Sequence, residues 1–179
     1  FLEKIPVSRN ITHPHKRLQH LAGRYLLQYL FADFPMSLIQ IADTRRPYLE
    51  NESHYFSISH CGDYAAAIVS TTQRVGIDIE IPNERINKIY NKFLSQYELE
   101  MLQSGFIGKS DIEKLTLAWC TKEAMYKWYG EGLIDFKHHL HLMSLEEDGK
   151  MLASISKEDE ILLTINYQFI SKLVLAWVF

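Results

Sequence analysis

Residues 75–81 read Val-Gly-Ile-Asp-Ile-Glu-Ile, a strict alternation that Pro82 closes. A period of two is the signature of a β-strand, with Ile77, Ile79 and Ile81 on one face and Asp78 and Glu80 on the other. Such a strand needs an apolar layer beneath it and forces two carboxylates into one space above it. Like charges that close repel one another unless a cation neutralises them. Mg2+ suits the pair, because it takes a few carboxylates and leaves positions for phosphate oxygens and water. Oxygen ligands serve Mn2+ as well. The competing reading is a half-exposed strand with two solvated acids.

Around this strand the pattern is mixed. Residues 15–31 show helical spacing of Leu18, Leu21, Ala22, Tyr25, Leu26, Tyr29 and Leu30, with Lys16, Arg17 and Arg24 as the charged contribution. A short strand is predicted over 38–41, and Pro47 biases Arg46 toward an extended conformation. Residues 55–58 and 64–70 read as two strands around a Cys61-Gly62-Asp63 turn, with Ser59 and His60 at the end of the first. Helices are predicted over 86–94, over 96–103 behind Ser95 as N-cap, and over 111–129, which Gly130 and Gly132 stop. Strands are predicted over 139–145, 151–155, 161–169 and 172–179. This order favours α+β over a doubly wound fold.

Composition narrows the class. Of 179 residues, 47% are hydrophobic and 23% charged, which is ordinary for a globular chain able to bury a sizeable core. Five Pro and eight Gly leave little for a flexible linker. The net charge of −3 argues against a dedicated nucleic-acid binder. No apolar run approaches the length of a membrane helix. Two distant cysteines make no disulfide framework, no zinc spacing exists and no signal peptide is visible, so a reducing cytoplasm is expected. The charge is uneven: residues 1–46 carry a net +4 and the remainder −7. A basic first quarter points to an anionic ligand or an acidic partner, or to a solvated basic face.

Three further clusters could carry chemistry. On a helix, Trp119, Glu123 and Lys127 recur every four residues and form one stripe, where a carboxylate and an ammonium could serve a metal and a phosphate. A Glu–Lys helix pair beside a packed Trp is the plainer alternative. In Phe56-Ser57-Ile58-Ser59-His60, the imidazole could bind a phosphate and Ser59 could add a hydroxyl, or His60 could be a satisfied structural histidine. Arg46 before Pro47 could grip a phosphate in bidentate fashion. Two decoys fall away. Gly108-Lys109-Ser110 is no P-loop, since Gln103 stands where the first Gly is required. In His138-His139-x-His141 only two histidines would share a strand face, with no third ligand nearby.

Taken in order, Arg46-Pro47, Ser57-Ile58-Ser59-His60, Gly76-Ile77-Asp78-Ile79-Glu80 and Trp119-x-x-Lys122-Glu123-Ala124-x-x-Lys127 resemble the 4′-phosphopantetheinyl transferases, most closely the surfactin-synthetase-activating (Sfp-type) branch. The resemblance runs from about Lys16 to the final strand. It implies an α+β pseudo-dimer of two similar α/β halves, residues 1–74 and 75–179, in a monomer with the active site between them. It implies transfer of the phosphopantetheine arm of coenzyme A to a serine of an apo acyl or peptidyl carrier protein. Asp78, Glu80 and Glu123 would hold Mg2+. Glu123 and Glu98 are candidate bases. Lys127 would face the pyrophosphate, and Arg46, Ser59, His60 and Lys122 would complete the coenzyme contacts. Lys16, Arg17 and Arg24 are expected to dock the acidic carrier. Arg45 stands where the family often has Gly, and Cys61 where it often has Ser. The length is short for this branch, so residues ahead of Phe1 are expected. A non-catalytic member that binds coenzyme A or a carrier is the alternative.

Overall fold

The 19-residue helix α3 (Asp111–Tyr129) organises the C-terminal part of the chain, in a computed structural model that describes residues 13–179. Its ends follow local rules. The Ser110 hydroxyl accepts from Glu113 N–H and the Glu113 side chain reaches back to Ser110 N–H, a complete capping box. Gly130 ends the helix at φ 77°, a left-handed position that suits glycine. Leu117, Ala118, Cys120, Thr121, Ala124 and Met125 are all buried, so α3 is covered on nearly every side.

One side lies on β5 (Gly76–Glu80). A Cβ at Gly76 would run into the Ala124 carbonyl oxygen and Trp128, so glycine sets how closely strand and helix approach. β5 pairs with the last strand, β9 (Leu173–Val178), and the sheet continues through β8 (Glu160–Ile170) and β7 (Lys150–Ser156) to β6 (Leu140–Glu146). All four pairings are antiparallel. Between β5 and β6 the chain makes α2 (Gln96–Gly105) and α3. The helix predicted over 86–94 is instead two 3-10 turns, Glu84–Lys88 and Tyr90–Lys92. The Phe93 carbonyl is turned to Lys122 Nζ, at 2.6 Å, rather than to a following helical N–H.

The preceding residues build a smaller unit. Helix α1 (Pro14–Leu30) packs on the hairpin of β3 (Tyr55–Cys61) and β4 (Tyr64–Ser70), and β1 (Ile39–Ile41) pairs with β2 (Pro47–Leu49) beside it. Its core is Leu27, Phe34, Met36, Leu49 and Phe56. The apolar face expected on α1 is turned differently: Leu18, Tyr25 and Tyr29 are exposed, while Gly23, Arg24 and Leu27 are buried. Gly23 is the reason, because its bare Cα lets the helix settle against Ile58. Ser59 and His60 lie within β3, not past its end.

The architecture is α+β, with antiparallel strands throughout. Among the described residues, no helix is long and apolar enough to cross a membrane. Cys61 and Cys120 are both unbonded.

Candidate active site

β3 crosses β5, and this crossing fixes the acids. Ser57 Oγ accepts from Ile77 N–H at 3.2 Å, and Ser59 Oγ donates to Asp78 Oδ1 at 2.6 Å. The Ser-Ile-Ser stretch therefore bolts the two strands together. Ser59, expected to offer its hydroxyl to a ligand phosphate, is buried and already committed to Asp78. β5 is thus covered on both faces, and Asp78 is buried rather than half-exposed.

From the other side α3 presents its predicted stripe. Lys127 Nζ donates to Asp78 Oδ1 at 2.6 Å and to the Ile77 carbonyl at 3.1 Å. Trp119 and the Cys61 thiol lie beside Glu80 and favour its charged form. Glu123 lies between Trp119 and Lys127 on the stripe. Burial, and then the negative charge of Asp78, push the Glu123 carboxyl up to about 7. The same two causes raise Glu80. Burial lifts the Cys61 thiol to about 11, which leaves it protonated and unreactive.

A cleft of about 640 Å3 opens in front of this stripe. Glu123, Tyr126 and Lys127 form one wall; Lys16, Arg24, Arg46 and His60 stand among the residues of the other. Arg46 and Arg24 are both held below the usual guanidinium range by burial, and for Arg46 by the nearby charge of Arg74. Arg24 Nε is buried without a partner. A cleft with two desolvated guanidinium groups and few acids is built for an anion.

Three expected roles change with these positions. Arg24 is buried in the cleft and is unavailable to an approaching protein surface. Lys16 is exposed at the cleft, and Arg17 is exposed but does not line it. Glu98 and Lys122 do not reach the cleft at all. They pair with each other at 2.7 Å, with side-chain exposures of 2% and 0%. Lys122 also donates to the Phe93 and Phe136 carbonyls, and Glu98 accepts from Leu142 and Ser95 N–H groups. Helical rotation accounts for this, because Lys122 is one residue from Glu123 and so faces about 100° away.

Other groups in the cleft were not singled out in the sequence. Tyr126 falls inside the quoted motif, and Ser57 opens the Ser-Ile-Ser stretch, so both had a positional signal. Thr44 and Gln19 had none.

The donor set suits a hard divalent cation. Asp78 Oδ2 is buried without a partner, and the charges of Asp78, Glu80 and Glu123 bear on one another. Among the described residues, no three His, Cys, Asp or Glu side chains cluster closely enough to form a ligand cage. Lys127 Nζ is the cation now at Asp78.

Enterobactin synthase component D of Escherichia coli K12 is 33% identical over 115 residues, covering 63% of this chain and 54% of that protein. The Salmonella typhi protein of the same name is 30% identical over 119 residues, covering 65% and 49%. The L-aminoadipate-semialdehyde dehydrogenase-phosphopantetheinyl transferase of Xenopus laevis is 26% identical over 131 residues, covering 63% and 43%. The chain spans about half the length of the curated relatives it matches. A family profile matches residues 74–175, more than half of the chain and the whole of the β5–α3 pairing: the chain belongs to the 4′-phosphopantetheinyl transferase superfamily.

Proposed function

We propose that the protein transfers the 4′-phosphopantetheine arm of coenzyme A to a serine hydroxyl of an apo acyl or peptidyl carrier protein. The observation that carries this reading is the unfinished Asp78–Lys127 pair behind an anion-binding cleft: one carboxylate oxygen is saturated and the other has no partner. We assign the protein to the surfactin-synthetase-activating branch, acting as a cytoplasmic monomer whose two halves, residues 1–74 and 75–179, share the cleft.

In this reading Arg46, Arg24 and His60 bind the phosphates of the coenzyme from one wall. Lys127 meets the pyrophosphate from the other and neutralises charge on the departing bisphosphate. Asp78, Glu80 and Glu123 would hold Mg2+ or Mn2+, which when bound supplies charge neutralisation on the pyrophosphate. Glu123 is also the carboxylate that lines the cleft, and it is the candidate to accept the serine proton. The buried pairing of Glu98 with Lys122 favours Glu123 over Glu98 in that role. Ser59 orients Asp78, and Lys122 holds α3 in place. Lys16 and Arg17 remain exposed for an acidic carrier.

The test is to incubate the chain with coenzyme A, Mg2+ and apo carriers of the fatty-acid, polyketide and peptide-synthetase types, then weigh the carriers by mass spectrometry. A gain of one phosphopantetheinyl group is expected, and Asp78→Ala should abolish it without unfolding the protein. No gain on any carrier would contradict transfer and favour a protein that only binds coenzyme A or a carrier.

A further inference from the structure

We propose that Gly130 is a positioning residue: its bare Cα seats the Arg46 guanidinium and so sets where an anion in the cleft meets that group. The proposal rests on the reading of the cleft as the coenzyme A site.

Gly130 is the left-handed cap of α3, with its N–H donating to the Tyr126 carbonyl at 3.0 Å. A Cβ built there would overlap Arg46 Nη1 and press on Cζ. The guanidinium therefore reaches the glycine through its Nη1 end. Little else holds it. Among the described residues the Arg46 side chain has no hydrogen bond and no ion pair. Its backbone is better fixed, since the Arg46 carbonyl accepts from Ala42 N–H at 2.9 Å and Pro47 restrains the residue before it.

The neighbouring Arg74 donates to the Tyr129 carbonyl at 3.4 Å, so two guanidinium groups gather at the C-terminal end of α3. That end carries the negative pole of the helix, which favours cations. The consequence is geometric. α3 presents Glu123 and Lys127 to the cleft and, one turn on, seats the Arg46 guanidinium at its C-terminal cap. One rigid helix thereby sets the separation between the ammonium and the guanidinium that a polyanionic ligand must bridge. A side chain at Gly130 is relieved most cheaply by swinging the flexible end of Arg46, which costs placement of the charge more than it costs the fold.

A double-mutant cycle tests this, read by calorimetric titration of coenzyme A into the full chain with Mg2+ present. Arg46→Ala is expected to raise Kd about tenfold, the loss of one charge-assisted contact. Gly130→Ala should raise it about fivefold or more, and the double variant should bind no worse than Arg46→Ala. Strain at the positive φ is a separate effect: it lowers the melting temperature equally in both backgrounds and leaves Kd alone. If Gly130→Ala does not fold, Gly130→Asn supplies a Cβ on a residue that tolerates the left-handed region. A Gly130 effect on Kd that persists undiminished in the Arg46→Ala background overturns the proposal. So does an unchanged Kd for Gly130→Ala while Arg46→Ala weakens binding. An unchanged Kd for Arg46→Ala overturns it together with the assignment of Arg46 to the coenzyme. Absence of any coenzyme A binding by the unmutated chain would instead bring down the reading of the cleft, and this inference with it.

Discussion

Two lysine–carboxylate pairs sit on α3 five residues apart, and they are finished to different degrees. Lys122 meets Glu98 at 2.7 Å and Lys127 meets Asp78 at 2.6 Å, so distance does not separate them. Satisfaction does. Lys122 spends its donors on Glu98, Phe93 and Phe136, and both Glu98 oxygens accept backbone N–H groups. Nothing is left for a ligand. At the second pair, Asp78 Oδ2 has no partner, and the Lys127 side chain keeps 24% of its surface exposed. A saturated pair holds a fold together. An unsaturated pair beside a cleft has capacity for something else. Five residues of helix correspond to a rotation of about 140° beyond one full turn, which is how one helix serves both ends.

The contrast can be broken most sharply at Lys122. Lys122→Ala leaves the Glu98 carboxylate buried and unpaired, and should cost about 3–5 kcal/mol in urea unfolding. A cost below about 1 kcal/mol, the range of an exposed pair, would remove the distinction.

A second prediction concerns Glu123. Its folded pKa of about 7 lies above the model-peptide value of 4.5, so the folded chain keeps a proton that the unfolded chain has lost. Stability should therefore fall as pH rises from about 4.5 through 7, by on the order of 2 kcal/mol. The measurement is urea unfolding across that range with a chelator present, and Glu123→Gln should flatten the slope. The raised Glu80 carboxyl leaves some slope in the variant; a slope undiminished from the unmutated chain would assign the titration elsewhere.

The smallest effect is at the start of the shared helix. Ser110→Ala removes the N-cap and should cost about 1 kcal/mol in urea unfolding. Because the cap lies far along α3 from Lys127, coenzyme A affinity should be unchanged; a large change would show that the site is not insulated from the helix terminus.

What could be read from the sequence divides along the same line. The C-terminal limit of α3 was legible because Gly130 is a strong local stop signal. So was the shared face of Asp78 and Glu80, since a period of two fixes it. The stripe of Trp119, Glu123 and Lys127 followed from the four-residue spacing, and the structure turns it toward the acids of β5. Lys122 and Glu98 were misplaced because motif order carries no information about which side of a helix is buried. A clue was present: Ser95 followed three residues later by Glu98 is a capping box, which the structure contains. Charge alone groups Arg24 with Lys16 and Arg17 and does not report burial. The position of Arg24 depends on the contact of Gly23 with Ile58, a tertiary event that periodicity cannot report.

The account turns on Lys127 working in the cleft while Lys122 only supports it. The most direct measurement is the transfer rate of Lys127→Ala to an apo carrier, corrected for folded fraction by urea unfolding of the same sample. The account predicts a fall of about 100-fold or more in the rate per folded molecule. A rate within threefold of the unmutated chain, or a loss that tracks the unfolded fraction alone, would contradict it.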